Sequence, residues 1–245
     1  MRRKGKASAE ISTMQALLLA LSDDIALPLL QIRSGLELIQ QDGSESSLKN
    51  HTNKMLLSAE SGLHLIEGYR LALRTTTSSE LQMEPLAIAT VLQEVAHKLT
   101  LYAKEYSTEI EVEVQPRLTP ALADHASLSV ALEILSGSII RAQAANKQQK
   151  RYRVLLGARR IPENVISTGV FSSVRGLSDK TLKNARSLAG RARQPLPAIP
   201  AGAASGILIA DMLCSSLWQP LRAVAYRNMY GLATAIPISK QLQII

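Results

Sequence analysis

The sequence predicts an α+β protein in two parts, a helical hairpin over residues 8–78 and an α/β sandwich over residues 80–245. Three observations predict it. Apolar residues of the first part recur at alternating spacings of three and four, the period of an amphipathic helix. In the second part a period-two segment, Ile110, Val112 and Val114 alternating with Glu109, Glu111 and Glu113, sits among helix-length segments and marks a half-buried strand. Between the two lies Thr75, Thr76, Thr77, Ser78 and Ser79, a polar stretch that breaks both patterns.

Taken in order, Leu18, Leu21, Ile25, Pro28, Ile32, Gly35 and Ile39 form the seam of the first helix, widened by Leu29 and Leu36. Gln40 to Ser47, with Asp42, Gly43 and three serines, has the chemistry of a turn. A second seam runs through Leu56, Ala59, Leu63, Ile66 and Leu73. Two stripes of this length cannot bury themselves alone, so the hairpin is expected to form a homodimeric four-helix bundle, with packing on the rest of the same chain as the alternative. Beyond the linker, Pro85 to Tyr106 and Ala123 to Ala145 read as helices. Tyr152 to Ala158 and Val165 to Phe171 read as strands. Leu177 to Ala189 and Ala203 to Leu217 read as helices, and Leu221 to Tyr226 and Leu232 to Ile238 as the closing strands. Helices on one side of a mixed sheet give the sandwich.

Composition narrows the function. A hydrophobic fraction of 46% excludes a mainly disordered chain. One cysteine, Cys214, excludes an internal disulfide or a multi-cysteine metal cluster, and no His pair has ligand spacing. No metal is therefore expected. No apolar run reaches the ~18–20 residues of a membrane helix. Arg2, Arg3, Lys4 and Lys6 read as a solvated basic tail, and the expected setting is cytoplasmic. The charge is uneven: residues 1–122 hold 12 Lys/Arg and 15 Asp/Glu, residues 123–245 hold 16 and 5. The excess forms a basic belt in which Lys150, Arg151, Arg153, Arg159, Arg160, Lys180, Lys183 and Arg186 are the candidate anion-binding residues. Its partner could be nucleic acid, an acidic protein or a lipid headgroup. No nucleic-acid motif accompanies it, and 3% aromatics supply few stacking platforms.

Four segments occur in an order that carries a resemblance. Ser22-Asp23-Asp24-Ile25-Ala26-Leu27-Pro28-Leu29 is similar to the phosphoacceptor motif Ser-His-Glu-Leu-Arg-Thr-Pro-Leu of sensor histidine kinases. Glu133-Ile134-Leu135-Ser136-Gly137-Ser138 resembles their asparagine box. Ser172-Ser173-Val174-Arg175-Gly176 resembles Asp-x-Gly-x-Gly after a strand, and Ala203 to Ala210 resembles their last glycine motif. A proline inside a helical seam costs roughly 3 kcal/mol in a generic helix. The family's kinked helix accounts for Pro28. Leu-Gln-Met-Glu-Pro-Leu from Leu81 to Leu86 resembles the family's linker.

The resemblance covers nearly the whole chain and implies a dimerisation hairpin followed by an ATP-binding domain. It also exposes what is changed. Asp23, beside Asp24, stands at the phosphoacceptor His, and Gly137 at the Asn that holds magnesium. Ser172 stands at the Asp that reads adenine. Of the glycines only Gly176 and Gly206 remain, with Leu208 at a glycine position and Val174 at another. Glu133 keeps an Asn-or-Glu position and is expected to be solvated or capped.

The implied function is a catalytically inactive, histidine-kinase-like scaffold with no cofactor. It would bind ATP and Mg weakly or not at all, in a pocket filled by Val174 and Leu208. Its expected partner is a response-regulator receiver docked near Asp24 and Pro28. The alternatives are a divergent active kinase or a phosphotransferase using His64, and a nucleic-acid-associated module using the belt.

Overall fold

The computed structural model of the 245-residue chain describes residues 25–41, 44–77, 81–145, 151–173, 182 and 204–239. Two helices open it: α1 over residues 25–41 and α2 over Glu45–Thr77. Helix α2 runs through the Thr75–Thr77 stretch expected to be linker, and Thr75 Oγ1 bonds back to the Ala72 carbonyl at 3.0 Å. A hydroxyl that satisfies itself on the preceding turn lets a threonine end a helix rather than break it.

Two short strands follow that overlap the starts of the helices read from the sequence at Pro85 and Ala123. β1 (Glu84–Leu86) pairs antiparallel with β3 (Ala121–Ala123). Pro85 is compatible with an edge strand, where its missing N–H is not needed. Helix α3 (Ile88–Glu105) therefore starts three residues later than expected. It buries Ile88, Val91, Leu92, Val95, Leu99, Tyr102 and Ala103, one continuous face at three- and four-residue spacing. Helix α4 (His125–Ala145) begins after Asp124, whose Oδ1 accepts from the Ser127 N–H at 2.8 Å. It is buried on almost every side from Ser127 to Ile140, as suits a helix packed by α3, α2 and the later helix Ala204–Leu217 together.

The main sheet has the order β2-β4-β5-β7-β6. β2 (Thr108–Val114) runs parallel to β4 (Tyr152–Ile161). β5 (Val165–Ser172), β7 (Met229–Pro237) and β6 (Arg222–Tyr226) continue it antiparallel. The period of two divides the strands between two clusters. Val154, Leu156, Ile166, Val170, Leu232 and Ile236 join the main core against the helices, while Leu155, Phe171, Met229 and Ala233 form a small cluster on the outer face. Gly169 and Gly231 permit the central strands to meet: a Cβ on Gly169 would lie 2.3 Å from the Leu232 carbonyl oxygen, and one on Gly231 2.1 Å from that of Val170. α5 (Ala204–Leu217) closes the helical layer with Ile207, Ile209, Ala210, Leu213, Cys214 and Leu217 buried. The expected helix Leu177–Ala189 lies outside the described residues except for Leu182, which is helical and buried.

The stripe that α2 turns to the sandwich is not the seam read from the sequence, whose expected cover is a second hairpin. The seam through Leu56, Leu63 and Ile66 is 58, 64 and 38% exposed. The buried face of α2 is instead Gly62, Leu65, Gly68, Tyr69 and Ala72. Gly68 is the closest approach: a Cβ there would lie 2.1 Å from Ile134 Cδ1 of α4 and 3.3 Å from Ile209 Cγ2 of α5. Two apolar stripes share one helix, and the sequence period alone did not say which would face the sandwich. Pro28 is buried within α1 and faces Gly62, and the helix continues through it.

Candidate functional site

Helix α4 places Glu133 and Gly137 one turn apart on a single face. That face looks toward α3 and α2. Of the two expectations for Glu133, solvated or capped, solvation is excluded, for the side chain is buried. Its Oε1 accepts from Lys98 Nζ of α3 at 2.6 Å and from Ser129 Oγ, one turn back, at 3.0 Å. The ammonium and hydroxyl compensate the carboxylate for the water it loses. Gly137 offers only main chain. A Cβ there would meet Arg141 Nη1 at 3.9 Å and Tyr102 Cε1 at 4.0 Å, ordinary contacts, so space does not require glycine.

A small cavity of about 80 Å³ lies over these two positions, walled by α2 through Glu60, His64 and Leu65. His64 is exposed at its margin. Arg141, one turn beyond Gly137, joins the layers: Nη1 donates to Ser61 Oγ of α2 and to Tyr102 OH of α3, both at 3.1 Å, and Nη2 to Ser138 Oγ at 3.4 Å. In sequence Arg141 falls in the basic half of the chain, a few residues before the belt. Here it points inward, and Lys98 and Tyr102 beside it carried no motif that could have singled them out.

The other expected positions separate. Ser172 ends β5, fully buried, opposite Tyr230 of β7 and Val154 of β4. Gly206 lies in α5 against α4, where a Cβ would sit 2.0 Å from Ser138 Oγ. It is a helix-packing glycine in this fold. Leu208 is half-buried and packs on the main core. Asp23, Asp24, Val174, Gly176, Lys150, Lys180, Lys183 and Arg186 lie outside the described residues.

Three of the four described arginines of the basic belt are engaged on the sheet. Arg153 pairs with Glu111 of the neighbouring strand. Arg160 Nη2 donates to Asn164 Oδ1 at 2.6 Å. Arg159 stands over the Tyr226 ring at 5.3 Å, and Arg227 over the same ring at 5.8 Å while pairing with Glu113 at 2.9 Å. Tyr226 OH donates to Glu113 at 2.7 Å, which raises the phenol above its ordinary value. Arg151 is exposed. Of the glutamates of β2, Glu111 answers Arg153 of β4 and Glu113 answers Arg227; the parallel register sets Glu109 opposite Arg153 and Glu111 opposite Leu155. His125 pairs with Glu94 at 3.1 Å. Cys214 is a buried core thiol, pushed up to about 12 by burial and by Asp211. Among the described residues no group of three potential metal ligands occurs, and no helix is long and apolar enough to cross a membrane.

The fold is an α/β sandwich, a mixed sheet with its helices on one face, and the helical hairpin packs on those helices. Its solved counterparts are histidine-kinase structures. ThkA in complex with response regulator protein TrrA aligns at a TM-score of 0.59 and 10% identity, over 97% of this chain and 66% of that one. Full-length ShkA in complex with AMPPNP aligns at 0.56 and 17% identity, over 94% of this chain and 46% of that one. The Acinetobacter baumannii histidine kinase AdeS aligns at 0.55 and 12% identity, over 87% and 96%. The chain spans about half the length of ShkA and two thirds of that of ThkA. No protein-family model and no curated protein matches the sequence. The chain has the fold of a histidine-kinase core.

Proposed function

We propose that the protein is a histidine-kinase-like signalling scaffold that no longer transfers phosphate, dimerises through its hairpin and docks a protein partner of the receiver type. The observation that carries this reading is the pair of positions on α4. The position that would bring a magnesium-holding oxygen is Gly137, which has none. The carboxylate one turn away, Glu133, is already held by Lys98 and Ser129. This donor set fits a magnesium–triphosphate poorly, because two positions that should converge on the metal supply one engaged carboxylate. Ser172 offers a hydroxyl in place of the carboxylate that would accept from an adenine amine, and Leu208 brings a side chain where a phosphate needs bare main chain.

Dimerisation is supported by Leu29, Leu36, Leu56, Leu63 and Ile66, which a single chain leaves 38–64% exposed along the hairpin. An apolar stripe this long on a monomer calls for a partner surface. The receiver-type partner rests on the fold shared with ThkA, whose structure contains a response regulator. Titration with ATP and magnesium tests the reading. Affinity no tighter than millimolar and no labelled phosphate on the protein are the expected results. Micromolar binding or phosphoryl transfer overturns it. Label that disappears in His64→Ala assigns the chemistry to a phosphotransferase histidine instead.

A further inference from the structure

β2 stands at the end of the five-stranded sheet, and among the described residues no strand pairs with its outer side. The Ser107 carbonyl accepts from the Tyr152 N–H at 3.0 Å, and the Gln115 N–H donates to the Ala158 carbonyl at 2.9 Å. Between those two bonds the parallel ladder makes Glu109, Glu111 and Glu113 turn their main-chain groups to β4 as well. Thr108, Ile110, Val112 and Val114 turn theirs the other way, to the open edge. The side chains of Ile110, Val112 and Val114 are half-buried against the main core, on the α3 side of the sheet. An edge strand with its main-chain donors and acceptors unpaired is a template for a further strand.

A groove of about 690 Å³ lies between α3 and the first half of this edge. Ala96, Thr100 and Ile110 line it, with His97, Lys104 and Arg151 among its polar groups. Lys104 and Arg151 are exposed, and neither has an ion-pair partner among the described residues. The lining holds one acid, Glu109. Its charge therefore favours a ligand that brings carboxylates. A second copy of the chain is a poor occupant. Any antiparallel pairing of β2 with itself sets Glu109, Glu111 and Glu113 opposite the same row of its copy, and like charges directly opposite are destabilising.

We propose that the edge of β2 takes up an extended acidic peptide of a partner protein, which adds antiparallel as a sixth strand. Its main chain bonds to Ile110, Val112 and their outward neighbours. Its inward side chains alternate over the groove, apolar ones on Ile110 and Val112 and carboxylates beside Lys104 and Arg151. The ladder supplies the hold and the cations choose the side chains. In the antiparallel sense the acids belong to the C-terminal half of the peptide, which lies against the start of β2. The surface shares no residue with the hairpin or with Glu133 and Gly137, so it stands or falls separately from the scaffold reading.

Titration of the full chain with the peptide acetyl-Thr-Val-Thr-Val-Thr-Glu-Thr-Glu-amide tests the proposal. The expected result is one saturable site per chain with a Kd below about 1 mM. The same peptide with Lys in place of Glu should bind at least about tenfold more weakly, and Lys104→Glu with Arg151→Glu should weaken the Glu peptide about as much. Val112→Pro removes an N–H that faces the edge and none that faces β4, a change that edge strands tolerate, and should abolish binding. Should that variant fail to fold, N-methylated peptides test the ladder on the unaltered protein. Methylation of the Val and Glu amides should abolish binding; methylation of the Thr amides should not. On binding, hydrogen exchange should slow at the Ile110 and Val112 amides and stay unchanged at Glu111 and Glu113, which are already bonded to β4. Absence of saturable binding to about 1 mM overturns the assignment. So does equal binding of the Lys peptide, binding that neither methylated set alters, or a chain mass that falls in Val112→Pro, which would give the edge to a second copy.

Discussion

The sandwich and the hairpin bury their leucines in opposite ways. Leu92, Leu128, Leu132, Leu135 and Leu156 of the sandwich are almost fully removed from water, and the central strands touch through bare glycine backbone. The hairpin leaves Leu29, Leu30, Leu36, Leu56 and Leu63 at least half exposed. One region completes its core within a single chain; the other is unfinished. The difference teaches that hydrophobic period alone reports that a face is apolar, not what covers it.

Substitutions at the glycine contacts break the comparison on the sandwich side with the largest effect. Gly169→Val drives a side chain into the main chain of Leu232 and Ala233, and should cost at least about 3 kcal/mol, read as a fall in the denaturant midpoint or as insoluble protein. Leu132→Ala should cost about 2–5 kcal/mol by the same measurement. In the hairpin, Leu63→Glu should change the folding midpoint by less than about 0.5 kcal/mol per chain at a surface position. It should instead lower the mass seen by analytical ultracentrifugation. An unchanged mass would sink the dimer.

Raising the pH sharpens the contrast further. Cys214 and Tyr106 are neutral in the fold, both pushed up to about 12 from ordinary values of 9.0 and 10.0, first by burial in each case. The unfolded chain gives up those protons earlier. Their contribution is intact below pH 9 and is lost as the pH climbs from there toward 12. Cys214→Ala should flatten the lower part of that decline and Tyr106→Phe the upper. Native Cys214 should also resist alkylation at pH 8 until the protein is denatured. The smallest expected effect is at Arg33, 77% exposed and paired with Glu37 one turn away: Arg33→Ala should cost no more than about 0.5 kcal/mol.

Most elements of the sandwich were legible because their signals are local. The Glu-alternating strand, the two strands at Tyr152 and Val165, the helix before Trp218 and the closing pair all fell near their expected places. β1 and β3 were missed because three-residue strands carry no period; they exist through each other, some forty residues apart. The candidate site was legible only as positions. Motif order located Glu133 and Gly137, but nothing in that order revealed that Lys98 would draw the carboxylate inward. Nor did it show that Gly206 serves contact with Ser138. Arg141 was hidden by its charge, since a basic residue near other basic residues reads as surface until a partner helix is placed over it.

Asp124 uses its two carboxylate oxygens on two different neighbours. Oδ1 receives the Ser127 N–H in the first turn of α4, and Oδ2 receives the Gln82 N–H, at 3.2 Å, where the chain leaves the hairpin. It is a rivet through the joint. The same carboxylate thus starts the helix that carries Glu133, Gly137 and Arg141 and holds the main chain at Gln82. Removing that single carboxylate would slacken the tether and fray the helix in the same event.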